Sequence, residues 1–415
     1  MQLIRPRSIT RRAPSRSAFV ALAAGLTVFA AEGSPRGEVV SFDSRYTLYR
    51  EGTPYGNMLV HNPSVLLGAK PTESFGLHAG WQADVVSGAS VKIRNETRGV
   101  DAVTTASVKD FRQVASGGFS LERKYVTFEA GYAYGWEHDY KSHSVDFSAK
   151  TELLQRSMEL SIAYARNWDS VCDRVQSDID PTRRRGLEKS TACFTADPTV
   201  TTRPLVLDAF QAGWTQLWSP LFATQLIYSR QVLNGFQSNP YREVNLGVSS
   251  PAQEYVPEVR DRQALALKAN LYLRPIKTAL RVGVRAYRDT WDIRSFTGEV
   301  ELERYVLVDA LRLRLRGRYY TQGSATFYSD DYYLVPRGKY FTGDRELSTM
   351  RSWMAGARFA FGPSAGQQRW GGLLSKVELS LGGDYVSYDY SDFTIAGTPL
   401  HKTAIIASFG ASLLF

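Results

Sequence analysis

Apolar and polar residues alternate with a period of two along most of this chain. In Leu311-Arg312-Leu313-Arg314-Leu315-Arg316 every odd position is a leucine and every even one an arginine. Nearby, Val300 and Leu302 alternate with Glu299, Glu301 and Glu303, while Val282, Val284 and Ala286 alternate with Arg281 and Arg285. Successive side chains of a β-strand point to opposite faces, so this period predicts strands with one apolar and one polar face. Helix is excluded for most of these segments by the same alternation. At the end of the chain Ile405, Ala407, Phe409, Ala411, Leu413 and Phe415 share one face, and Ser408, Gly410 and Ser412 share the other. The pattern predicts about sixteen such segments, at 38–50, 57–70, 74–88, 112–124, 125–137, 143–155, 157–170, 203–218, 221–234, 261–273, 278–290, 296–306, 310–322, 348–361, 373–387 and 401–415.

The connections fall into two kinds. Every second one is short and turn-like: Lys70-Pro71-Thr72-Glu73, Arg123-Lys124, Gln155-Arg156, Trp218-Ser219-Pro220, Arg274-Pro275-Ile276-Lys277, and Leu307 to Ala310. The others are mostly long and polar, among them 89–111, 171–202, 235–260 and 323–347, with 362–372 a longer connection on the short side. Short turns at one end and long loops at the other is the arrangement of a membrane β-barrel, whose even strand count returns both termini to the short-turn end. A secreted β-sandwich would pack the apolar faces of two sheets together and predicts no such alternation. The expected fold is therefore all-β: a transmembrane antiparallel β-barrel of about sixteen strands over residues 34–415, preceded by a cleaved signal peptide at residues 1–33.

That leader carries Arg5, Arg7, Arg11, Arg12 and Arg16, then an apolar run from Ala18 to Ala31 and small residues near a cut around Ala31 to Gly33. The run is short for a bilayer-spanning helix, and no other stretch of the chain fits one. Arg11-Arg12 is a weak twin-arginine look-alike, because Ala13-Pro14 supplies no apolar pair after it. A length of 415 residues would ordinarily suggest two or three soluble domains, but no linker or compositional break divides it. Hydrophobic content of 43% with mean hydropathy −0.27 is too polar for a helical membrane protein, and 23 Tyr with 8 Trp suits interfacial girdles. Removing the leader takes away five Arg and one Glu, lowering the net charge from +9 to +5, so the basic pI gives no case for nucleic-acid binding. The two cysteines, Cys172 and Cys193, lie in one polar segment of an exported chain and are expected to form a disulfide that staples a loop.

The C-terminal pattern, with Ser408, Gly410, Leu413 and a final Phe415, resembles the sorting signal of bacterial outer-membrane barrels. This resemblance implies recognition by the barrel-assembly machinery and residence in the bacterial outer membrane, in contact with its lipid. Several further segments resemble a family of bacterial outer-membrane barrels known as domain of unknown function 3570. They are Val86-Ser87-Gly88-Ala89-Ser90, Gln237-Ser238-Asn239-Pro240-Tyr241-Arg242, Val259-Arg260-Asp261-Arg262, Arg318-Tyr319-Tyr320-Thr321-Gln322 and Ala325-Thr326-Phe327-Tyr328. Their order along the mature chain carries the match. The resemblance implies the fold and supplies no catalytic or binding residues to transfer.

Chemistry concentrates on the polar faces of four consecutive strands. Arginine on the lipid face costs roughly 2–4 kcal/mol at the membrane midplane, so Arg312, Arg314, Arg316 and Arg318 must face inward. The same parity places Glu299, Glu301 and Glu303, Arg281 and Arg285, and Lys268 with Asn270 in the lumen. Glutamates then oppose arginines across strands, each pair contributing about 0.2–1 kcal/mol. Seven basic groups against three glutamates leave an excess of four positive charges, which favours anions, offset in part by Glu378 and Asp384 on 373–387. The plainer role for the ladder is to neutralise itself and stiffen the wall.

Other sites are weaker. His138 and His143 lie near Glu137, Asp139 and Asp146, but polar loops are usually so for solvation, and no metal or other cofactor is expected. Ser142 and His143 are adjacent, so on a strand they point apart and cannot form a nucleophile–base pair. No Walker A loop, dinucleotide fingerprint or zinc-helix motif occurs, and no plug-sized segment precedes the first strand. The loop Tyr328-Ser329-Asp330-Asp331-Tyr332-Tyr333 reads as an interfacial girdle grading into solvent more readily than as a ligand site. The expectation is a non-enzymatic, passive pore for small polar or anionic solutes. The alternatives are a non-conducting barrel that docks a periplasmic partner such as a redox lipoprotein, and a rim enzyme or surface receptor.

Overall fold

The computed structural model describes residues 40–53, 56–87, 109–187, 193–194, 197–246, 251–306, 310–330, 338–363, 374–395 and 397–415. The expected signal peptide at 1–33 and most of the 89–111 connection lie outside the described residues.

Eighteen strands follow one another along the chain: β1 Val40–Thr53, β2 Gly56–Thr72, β3 Phe75–Ser87, β4 Lys109–Arg123, β5 Val126–Trp136, β6 Tyr140–Leu153, β7 Met158–Arg174, β8 Val200–Ser219, β9 Phe222–Gly235, β10 Glu243–Val244, β11 Ala252–Gln253, β12 Val259–Leu273, β13 Thr278–Asp289, β14 Arg294–Tyr305, β15 Leu311–Gln322, β16 Met350–Phe361, β17 Lys376–Ile395 and β18 Thr398–Leu414. All but the two-residue ribbon β10–β11 join one closed antiparallel barrel, in which each strand pairs with its chain neighbours and β18 closes on β1. Sixteen strands thus form the wall, as their alternation predicts.

Burial inverts the order found in a soluble protein. Leu381 (60%), Ile162 (57%), Ile405 (56%) and Phe409 (51%) stand exposed on the outer face, whereas Arg314, Glu301 and Asp384 are buried on the inner one. A continuous exposed apolar band of this kind is stable only against lipid. The apolar clusters that are buried sit at the long-loop end, where Val256, Trp291, Ile293 and Ala325 form one and Met350, Tyr390, Phe393, Ile395 and Leu400 another.

Two features differ from the sequence pattern. Half of the connections at the long-loop end are tight, because β1–β2, β5–β6, β13–β14 and β17–β18 join through only a few residues. In addition, β17 continues to Ile395 and β18 begins at Thr398, well past the expected limits of 387 and 401. The alternation fades there because a register shift between Asp389 and Thr394 breaks it, and loop packing takes the place of lipid.

Candidate functional site: the lumen and its mouth

Cross-strand register sets the chemistry of the inner wall. Glu299, Glu301 and Glu303 on β14 lie directly opposite Arg318, Arg316 and Arg314 on β15, and Glu301 also lies opposite Arg281 on β13. The ion pairs are both direct and diagonal. Arg314 and Arg281 both contact Glu301 and Glu303, and Arg318 reaches Glu299 at 3.6 Å. Arg316 Nε donates to Asp384 Oδ1 at 2.6 Å, and Arg312 Nη2 donates to Glu378 Oε1 at 2.8 Å. Both acceptors stand on β17, two strands away. Arg316 reaches its partner because the residue between them on β16 is Gly356, where an added Cβ would fall 1.8 Å from Asp384 Oδ1.

This changes the charge balance expected from four strands alone. Glu378 and Asp384 take up Arg312 and Arg316, so those arginines leave no excess of positive charge. Arg285 lies over the Tyr287 ring at 5.4 Å, and Lys268 stands opposite Gly283 without an ion pair. Further inward cations also lack an ion pair among the described residues: Arg358 on β16 and Arg45 on β1, with Arg262 on β12, Arg112 on β4 and Lys150 on β6. The registers of Arg358 and Arg45 place them over a floor of Gly382, Ser408 and Gly410, and Arg358 Nε lies 3.3 Å from where a Cβ on Gly382 would sit. The facing arc of the barrel, around β5 and β6, carries Glu129, Asp146 and Lys150 among small inner residues such as Gly118, Gly131 and Ala133.

The long loops fold across the mouth. In the β9–β12 connection Tyr241 donates to Asp139 beside β6, and Gln253 Nε2 donates to Asp173 of β7 at 3.0 Å. The same connection joins the β15–β16 loop through Thr342 Oγ1 to Glu254 at 2.7 Å and Arg242 to Asp344 at 2.6 Å. Burial pushes the Glu254 carboxyl above the usual range, against the pull of Arg242. From there the single turn Arg345–Leu347 crosses to the opposite rim, where Arg345 reaches Glu51 of β1 at 3.3 Å and Glu346 reaches Lys402 of β18 at 3.7 Å. Glu51 and Lys402 face inward and pair with each other at 3.2 Å, so a continuous chain of polar contacts spans the opening.

The remaining candidates separate cleanly. Cys172 and Cys193 form a disulfide with Cα atoms 5.5 Å apart, packed on Leu187. Ser408 and Gly410 face the lumen, Leu413 faces outward, and the Phe415 amide donates to Val40 O at 3.0 Å to complete the seam. Ser142 donates to Asp169 at 2.6 Å on the inner face, whereas His143 bonds Tyr132 on the outer one, so the two point apart. Glu137, His138 and Asp139 come close enough to share an ion, but His143 and Asp146 do not join them.

Among solved structures, the chain aligns with a bacterial polysaccharide outer membrane secretin over 91% of its own length and 99% of that chain, at 8% identity and a TM-score of 0.49. It aligns with Pseudomonas aeruginosa OccK2 (OpdF), determined with glucuronate, over 92% of its length and 100% of that chain, at 9% identity and a TM-score of 0.41. The P. aeruginosa ferric enterobactin receptor PfeA, in complex with enterobactin, matches over 86% of this chain and 55% of its own, at 13% identity and a TM-score of 0.44. Likeness at these levels bears on no ligand or function of this chain. No curated protein matches the chain. The model of the family described as "Protein of unknown function (DUF3570)" matches residues 16–362, which is most of the chain, and the protein therefore belongs to that family.

Proposed function

We propose that the protein is a passive channel of the bacterial outer membrane, placed there by the barrel-assembly machinery, which admits small polar and anionic solutes. The observation that carries this reading is the local positive excess on one arc of the wall. Arg45, Arg358 and Lys268 face the lumen without ion pairs among the described residues, beside Arg312, Arg314 and Arg316, which are matched. A barrel of sixteen strands is of the size that leaves an aqueous channel. Fixed charge at its wall then selects among ions. No catalytic step is part of this proposal.

Single-channel recording of purified, refolded protein tests it. Arg45→Glu with Arg358→Glu should move the reversal potential toward cations in 0.1 M salt, where charges are felt over about 10 Å. The shift should shrink in 1 M salt, where that length is about 3 Å. A conducting double variant with unaltered selectivity at low salt would remove these arginines from the account. The loops that bridge the mouth favour a second reading, a non-conducting barrel that docks or encloses a periplasmic partner. Absence of conductance in both proteins would support that reading instead.

A further inference from the structure

On the long-loop side the outer wall carries charge just beyond the apolar band. On β7 to β12 that charge is self-neutralised: Arg166 lies 3.5 Å from Asp208, and Arg230 pairs with Asp261 at 2.8 Å. On β13 to β16 it is not. Arg288 and Arg294 are direct cross-strand partners on the outer face, and Arg351 stands on the outer face of β16, opposite Thr321 of β15. All three are exposed, and none forms an ion pair among the described residues. Among the described residues these guanidinium groups make one hydrogen bond, from Arg288 to Gln263 at 3.2 Å.

Two nearby carboxylates are otherwise engaged. Asp389 is the cross-strand partner of Arg351 but binds His401 Nδ1 at 2.6 Å, and Asp292 accepts from Thr326 Oγ1 at 2.9 Å. Like charges placed directly opposite on a sheet destabilise it, so the Arg288–Arg294 pair calls for an external anion.

Depth identifies that anion. One outward position below Arg294 is Phe296, below Arg351 is Trp353, and below Thr321 is Tyr319, whose ring centroid lies 4.3 Å from that of Trp353. Phe296 and Trp353 are 45% and 59% exposed, and such aromatic residues mark the level of lipid headgroups. Arginine forks immediately above a headgroup girdle match phosphate, which accepts paired N–H donors.

We propose that Arg288, Arg294 and Arg351 dock the phosphate groups of a phosphorylated glycolipid in the outer leaflet, with its acyl chains lying along the apolar band beneath. This inference concerns the outer wall and stands whether or not the lumen conducts.

The full-length mature protein, refolded in neutral detergent, would be titrated with bisphosphorylated lipid A and with its dephosphorylated form, and binding read by native mass spectrometry. The phosphorylated lipid should bind at least roughly tenfold more tightly, as expected for several charge-assisted hydrogen bonds. Changing all three arginines to Gln should remove most of that difference, whereas the triple Lys variant should keep part of it and serves as a folding control. Should the Gln triple fail to fold, Arg294→Gln alone should weaken binding by roughly threefold. Equal binding by the Gln variants, or of the dephosphorylated lipid, would overturn the proposal. Displacement of the lipid by millimolar inorganic phosphate would overturn the lipid assignment and leave a soluble-anion site.

Discussion

At the level of single residues, the inner wall depends on how closely Arg316, Asp384 and Gly356 approach one another. Asp384 is buried and holds Arg316 through two contacts across a strand whose intervening residue has no side chain. Gly356→Ala would place a methyl group where the carboxylate now lies, and Asp384→Asn would leave Arg316 beside Arg314 and Arg358 without its counter-charge. Losing one partner of a buried pair costs about 3–5 kcal/mol, and water in a lumen reduces this to about 1–3 kcal/mol. Either variant should therefore show a lower urea midpoint for the refolded barrel, and an unchanged midpoint would show that the pair contributes nothing. Parity made the inward direction of Arg316 legible in the sequence, because the alternating leucines leave it no other face. Its partner was less legible, since Asp384 stands 68 residues along the chain and two strands away. Arg45 and Arg358 were hidden for a related reason. Around Arg358 the chain reads Met354-Ala355-Gly356-Ala357, small or apolar on both faces, so no contrast marks which side is wet.

Among elements, β18 has two jobs, because it pairs with β17 on one edge and β1 on the other. An open barrel would expose both seams as unpaired edges. Deleting Phe415, or changing it to Asp, should therefore lower the amount of heat-modifiable barrel in the outer membrane. Unchanged levels would mean that the seam closes without the terminal residue. The disulfide between β7 and its following loop makes a separate prediction. The exported protein should take up no alkylating reagent until it is reduced. Cys172→Ser with Cys193→Ser should lower stability by about 3 kcal/mol, the loss for releasing a loop of this order of length. Both features could be read from sequence because each is local: an alternating terminal strand, and two cysteines in one polar segment. The extra length of β17 and β18 could not. Tyr390, Phe393, Ile395 and Leu400 are buried against Tyr320 of β15 and Tyr328 of the β15–β16 loop, and such tertiary contacts leave no periodic trace.

For the molecule as a whole, the decisive question is whether the bridge across the mouth narrows the path through it. The bridge is anchored on one rim by Asp139 and Asp173 and on the other by Glu51 and Lys402, so it subtends the opening rather than lining it. No alternation or spacing in the sequence could have placed it there, because its anchors come from four separate connections and strands. Arg345 and Glu346 are the contacts most easily removed without touching the wall, since both belong to the crossing turn. Arg345→Ala with Glu346→Ala leaves the Glu51–Lys402 pair intact at 3.2 Å and frees the loop from that rim. If the bridge is the constriction of a conducting channel, single-channel conductance should rise and fluctuate more, while the low-salt selectivity set by Arg45 and Arg358 stays the same. Unchanged conductance in a conducting protein would place the narrowest point deeper, at the charged wall. Conductance that appears only in this variant would identify the bridge as a closed lid on an otherwise open barrel.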